Sequence, residues 1–209
     1  MPKVIIYDFD GTIADTLQVA IAIYNRMALE KGFKHVDKDH LEFFRAQEPR
    51  KLAKELGVSL YQIPQLLLRG RKELKNSAAD LKIFPGMAEL LHKVKNLGRQ
   101  QAIITSNSEE NVKAFLLKNN IDIFDFVLCG NSIFGKAKAL KKLMAENQIA
   151  PADAVYIGDE VRDIEAARQA KVSVISVSWG FNNKEVLEKN HPDGLIGKPD
   201  ELLALILGL

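Results

Sequence analysis

Asp8 and Asp10 stand two residues apart in YDFDGT, directly after the apolar run VIIY. Alternation along a strand sends residues i and i+2 to the same side, so two carboxylates are held together at a strand end. Two like charges kept that close are costly unless a cation compensates them. Strand carboxyl ends in open α/β sheets are also where ligands bind. A second acidic pair lies in IGDEVRD, where Asp159 closes an apolar run and Asp163 follows four residues on. That spacing is expected to place both on one face of the following helix.

The four acids form an all-oxygen set, which suits Mg²⁺ better than a softer metal. The histidines, at 35, 40, 92 and 191, show no ligand-like spacing, so a zinc site is unsupported. In ITSNS, Thr105, Ser106 and Asn107 precede a helix expected to begin near Glu109. Hydroxyls and free N–H groups at a helix start bind phosphate, although Ser and Asn serve equally as helix caps. GNSIFGKA at 130–137 has the glycine and lysine spacing of a nucleotide phosphate loop, but Ala137 stands where the metal-binding Ser or Thr belongs. The loop also follows a late strand, so Lys136, or Lys138 beside it, is read as a point charge delivered to a phosphoryl group.

These residues must be positioned by a scaffold. Apolar runs at 3–10, 101–108, 153–160 and 172–180, with a weaker one at 124–130, read as buried parallel strands. Helical spacing appears between them at 87–97, 112–117, 139–144 and 164–170, and strands alternating with helices argue for an α/β fold. From residue 16 to residue 84 the alternation stops and the spacing is helical throughout. The expected organisation is an α/β body of residues 1–15 and 85–209, with helices on both faces of a parallel sheet, and an all-helical unit of residues 16–84 inserted after the first motif. Residues 15–16 and 84–86 are the natural hinges, and the apolar tail ELLALILGL is expected to dock on the body.

Composition narrows the class. The 209 residues carry 29 Lys plus Arg against 27 Asp plus Glu, too even a balance to favour nucleic acid as a partner. No apolar run approaches the ~20 residues that span a bilayer, and the single cysteine, Cys129, reads as a structural thiol in a reducing compartment. A cytoplasmic protein with no membrane association and no obligate protein partner is expected.

Taken together, DFDGT at 8–12, ITSNS at 104–108, Lys136 before a helix and GDEVRD at 158–163 resemble, in type and order, the motifs of the haloacid dehalogenase superfamily. The helical insertion after the first block resembles the small cap of phosphoglycolate phosphatase-like and β-phosphoglucomutase-like members. The resemblance implies a Rossmann-like core and a phosphatase acting on a small phosphorylated metabolite. It makes Asp8 the nucleophile that forms an aspartyl-phosphate and Asp10 the acid and base. Asp8, Asp10, Asp159 and Asp163 would form the Mg²⁺ site, and Ser106, Asn107 and Lys136 would bind phosphate. In capped members the cap contacts the leaving group, which points to FRAQEPRK and to Arg45, Gln47 and Arg50. A sugar phosphomutase needs the same core residues, and a silent binding module would keep the sheet while losing acids that this chain retains.

Overall fold

The computed structural model describes residues 2–37, 39, 41–47, 49–77, 81–130 and 135–208. Four residues of VIIY form β1 (Val4–Tyr7), buried along its whole length. A strand apolar on both faces must be central and covered twice. β1 lies between β4 (Gln100–Ile104) and β6 (Ala154–Gly158), pairing in parallel with both. β5 (Phe126–Leu128) extends one side, and β7 (Ser173–Val177) and β8 (Gly194–Ile196) extend the other, giving the order β5-β4-β1-β6-β7-β8 with every pairing parallel.

Alternation along the strands divides the core in two. Ile5, Tyr7, Ile103, Val155 and Ile157 pack against α5 (Met87–Asn96), α6 (Glu109–Lys118) and α10 (Pro199–Gly208). Val4, Ile6, Ala102, Ile104 and Tyr156 face α7 (Lys136–Glu146), α8 (Val161–Ala170) and, through Leu187, α9 (Lys184–Lys189). The α5 stripe of Met87, Leu90, Leu91 and Val94 is buried, as the spacing of three and four requires of a helix covering a sheet. The apolar tail is α10, and it docks as expected, with Leu202 and Ile206 inside the core. Cys129 is half-buried just after β5, and burial pushes its thiol up to about 11, which leaves it protonated and unreactive at neutral pH.

Between β2 (Ala14–Asp15) and β3 (Lys82–Ile83), which pair antiparallel, the chain forms α1 (Leu17–Lys31), α2 (Leu41–Arg45), α3 (Pro49–Glu55) and α4 (Ile63–Ser77). These helices, called the cap below, have a small core of their own in Val36, Ala53, Leu56 and Val58. Arg69 on α4 binds both oxygens of Glu30 and also Glu73, which in turn accepts from Arg26. No helix among the described residues is long and apolar enough to cross a membrane.

Three sequence expectations change. The strands stop earlier than the apolar runs suggest, because TSNS and Asp159–Glu160 turn out of the sheet to form loops at its edge. β2, β3 and β8 escape detection, since two or three residues are too few to show alternation. Asp159 and Asp163 do not share a helical face, because α8 begins at Val161 and leaves Asp159 outside it.

Candidate active site

The carboxyl ends of β1, β4 and β6 bring the motifs together. Asp8 continues the β1 ladder by one residue, its N–H donating to the Ile157 carbonyl at 2.8 Å. Gly11 then turns the chain with φ +80°. A Cβ there would lie 2.2 Å from Asp159 Oδ2, so both the left-handed backbone and the close approach demand glycine.

Lys136, the first residue of α7, is 2 % exposed, and its ammonium donates to Asp8 Oδ2 and Asp163 Oδ1. Lys138, the alternative raised by the sequence, is exposed. The other oxygen of Asp8 accepts from the Phe9 N–H at 2.7 Å. Asp163 uses its second oxygen to accept from the Glu160 N–H at 3.0 Å, capping α8. Gly158 makes room for it, since a Cβ there would meet the Asp163 carboxyl at 2.6 Å.

Asp159, fully buried, accepts from Thr12 Oγ1 at 2.8 Å and from the Phe181 N–H at 2.7 Å. Each carboxylate oxygen has two lone pairs, so both retain capacity for a cation. Asp10 faces the β4–α6 loop, where Asn107 Nδ2 lies 3.2 Å from each of its oxygens. Thr105 is buried, and its Oγ1 accepts from the Asn107 N–H at 3.0 Å, whereas Ser106 is half-buried.

Burial dominates the electrostatics. It pushes Asp8 up to about 7, with Lys136 opposing and Asp163 adding to the rise. It raises Asp10 against the hydrogen bond from Asn107, and it drives Asp159 well above the carboxylate range with help from Glu160. Burial alone would lower the Lys136 ammonium, but Asp163 and Asp8 outweigh it and raise it. Among the described residues five acids, Asp8, Asp10, Asp159, Glu160 and Asp163, thus face two cations, Lys136 and Arg162, whose Nε donates to Glu160 at 2.9 Å. A strongly desolvated excess of negative charge on hard oxygen donors is the condition a divalent cation relieves.

Three of the expected residues make side-chain contacts within the protein. Asn107 has its side chain held on both sides: Oδ1 accepts from the Ser108 N–H at 2.8 Å and from Asn111 Nδ2 at 2.9 Å, which aims the Nδ2 donor at Asp10. Arg45 directs Nε to the Gly180 carbonyl at 3.0 Å and Nη2 to the Ser178 carbonyl at 2.8 Å. The Gln47 side chain donates back to the Phe43 carbonyl at 3.3 Å. The side chain of Arg50 and residues 131–134 of GNSIFGKA lie outside the described parts.

Sequence reasoning passed over Glu160, whose carboxylate reaches within 4.8 Å of those of Asp8 and Asp163. It also missed Thr12, which fixes Asp159. Both sit inside motifs already singled out, and a rule that every polar residue of such a motif faces the site would have found them. Residues 178–183 carry no such signal.

The chain matches the family described as haloacid dehalogenase-like hydrolase over residues 5–177. Over 208 residues it is 36% identical to a phosphoglycolate phosphatase from Synechococcus elongatus, covering 99% of this chain and 98% of that one. Among solved structures it resembles one described as a predicted phosphatase from Clostridium acetobutylicum, at 21% identity with TM-score 0.83 and full coverage of both chains. A haloacid dehalogenase-like family hydrolase from Streptococcus pneumoniae is similar at 22% identity and TM-score 0.79, covering 98% of each chain.

Proposed function

Because the chain belongs to the haloacid dehalogenase-like hydrolases and is a phosphoric monoester hydrolase resembling phosphoglycolate phosphatase, we propose that it hydrolyses phosphoglycolate in an Mg²⁺-dependent reaction through a phosphorylated Asp8. The substrate is taken from the full-length relative that bears that name. The observation that carries the chemistry is the buried contact of Lys136 with Asp8, beside an Asp10 that Asn107 holds in place.

Asp8 is the nucleophile. One of its oxygens is fixed by the Phe9 N–H, which orients the carboxylate toward phosphorus without a general base. Lys136 lies where the transferring phosphoryl group would bring its charge, and Ser106 is the hydroxyl at the loop edge that receives a phosphoryl oxygen. Asp10, raised by burial, retains a proton more readily than an exposed carboxyl. That suits it to protonate the leaving oxygen and then to take a proton from the water that hydrolyses the phosphorylated Asp8. Asn107 is the positioning residue for Asp10.

Asp8, Asp159 and the main-chain carbonyl of Asp10 would hold Mg²⁺, with Asp163 and Glu160 behind them. Bound there, the ion supplies charge neutralisation for the phosphoryl group.

The test is phosphate release from phosphoglycolate and a panel of sugar phosphates and nucleotides, with Mg²⁺ and with chelator. Phosphoglycolate is expected to have the highest kcat/KM, and chelation is expected to abolish turnover. Turnover that survives Asp8→Asn would refute the mechanism, and a clear preference for another phosphomonoester would refute the substrate.

A further inference from the structure

Residues 178–183 touch both the acidic cluster of the body and the cap. On one side they grip Asp159: the Phe181 N–H donates to Oδ2 at 2.7 Å, and the Asn182 N–H donates to the Asp159 carbonyl at 3.2 Å. Asn182 Oδ1 also accepts from the Val161 N–H at 3.0 Å, at the start of α8. The fit is tight, because a Cβ on Gly180 would lie 2.2 Å from Asp159 Oδ2 and 2.4 Å from the Gly11 carbonyl oxygen.

On the other side the same residues are held by the cap. The Arg45 guanidinium forks onto the Gly180 and Ser178 carbonyls, and its Nη1 is steadied by Glu42 at 2.6 Å. In return the Arg45 carbonyl accepts from the Asn183 N–H at 3.1 Å and from Asn182 Nδ2 at 3.3 Å. Asn182 Nδ2 also lies 3.4 Å from the Gln47 carbonyl.

We propose that Arg45 and Asn182 are positioning residues: seating of the cap through Arg45 fixes residues 178–183, and these in turn hold Asp159 in its working place. The consequence is that the metal-binding carboxylate is set only when the cap is down. Its bearing on catalysis rests on the proposed role of Asp159 as an Mg²⁺ ligand. Arg45 therefore acts through main-chain groups and not by contact with substrate.

Arg45→Lys separates the two roles. A lysine keeps the charge a substrate anion would need but cannot fork onto two carbonyls. In the metal-free protein, amide hydrogen exchange at Phe181 and Asn182 is expected to accelerate about tenfold in Arg45→Lys and in Asn182→Ala, the factor for losing one or two net hydrogen bonds. Calorimetric Mg²⁺ affinity should fall by a similar factor, with kcat reduced more than KM is raised. The double variant should be no worse than about twofold beyond either single one, since both act through one connection. Exchange unchanged at both amides, or a raised KM with Mg²⁺ affinity intact and substantial rescue by lysine, would overturn the proposal. A parent protein that binds no Mg²⁺ would instead overturn the metal reading, and the exchange result would still decide whether the cap holds these residues.

Discussion

Arg69 of the cap and Lys136 of the body each hold two carboxylates, Glu30 and Glu73 for the first, Asp8 and Asp163 for the second. The partners are alike in chemistry, yet Glu30 and Glu73 shift one way and Asp8 the other. Hydrogen bonds from Arg69 lower Glu30, and those from Arg26 and Arg69 lower Glu73, because water still solvates all of these groups. Asp8, with its side chain 3 % exposed, is raised instead, since loss of water outweighs the lysine beside it. An ion pair at the surface settles charges that are already comfortable. A buried one leaves a deficit that a cation or a phosphoryl group can complete.

The sharpest way to break this contrast is at Asp8, the proposed nucleophile. Asp8→Asn is expected to lower kcat by about 10⁴-fold or more, as loss of a nucleophile does in other hydrolases, while Glu30→Gln leaves kcat/KM within about twofold in the same steady-state assay. Comparable losses in both variants would show that the two clusters are not functionally distinct.

Stability should divide in the same way. Lys136→Met strands Asp8 and Asp163 in the interior and is expected to destabilise the metal-free protein by about 3–5 kcal/mol at pH 8, read from urea unfolding. Arg69→Met, in contrast, should leave the urea midpoint near its original value.

The opposite shifts also predict opposite pH slopes. Asp8 keeps a proton up to about 7 in the folded chain, whereas an unfolded chain releases it near ~4. Folding takes up a proton across that interval, so the Asp8 contribution weakens stability as pH rises from about 4 to 7. Glu30 and Glu73 are lowered, so their contribution is present above the ordinary glutamate range and is lost as pH falls through their folded values. In thermal scans of metal-free protein from pH 4 to 8, Asp8→Asn should therefore gain relative stability as pH rises. Glu30→Gln should lose its deficit toward acid. Added Mg²⁺ should raise Tm more at pH 8 than at pH 5, because protons and the ion compete for the same oxygens.

The smallest effect is that of salt. Going from about 0.05 to 1 M NaCl shortens screening to ~3 Å, which should erase whatever difference Glu73→Gln makes to Tm. The Lys136→Met deficit should persist, since solvent ions do not reach that pair.

Much of this arrangement was legible in the sequence, and unequally so. β1, β4, β6 and β7 announce themselves because strands covered on both faces need continuous apolar runs, while β8 offers only Leu195 and Ile196 within the turn-rich HPDGLIG. Asp8, Asp10 and Asp159 stand out because charged residues at the ends of such runs have no packing role to explain them, and Lys136 stands out by the glycine spacing before it. The contact of Asn107 with Asp10 is not legible, since amide orientation follows from contacts with Ser108 and Asn111 that spacing does not reveal. The grip of residues 178–183 on Asp159 was invisible for a deeper reason. It is made largely by main-chain N–H and C=O groups, which every residue but proline possesses in full, so no residue type marks them.

The order of the strands has a further consequence for how the chain is made. Val4 finds its neighbours in Gln100 on one side and Ala154 on the other. Asp8 is thus made well before either strand that flanks β1, since β4 begins at Gln100 and β6 at Ala154. Cap helices, whose contacts are local, can form during that delay, because short-range contacts close faster than long-range strand pairing. A nascent chain stopped before β6 carries Asp8, the proposed nucleophile, without Asp159, Asp163 or the strand that would dry it.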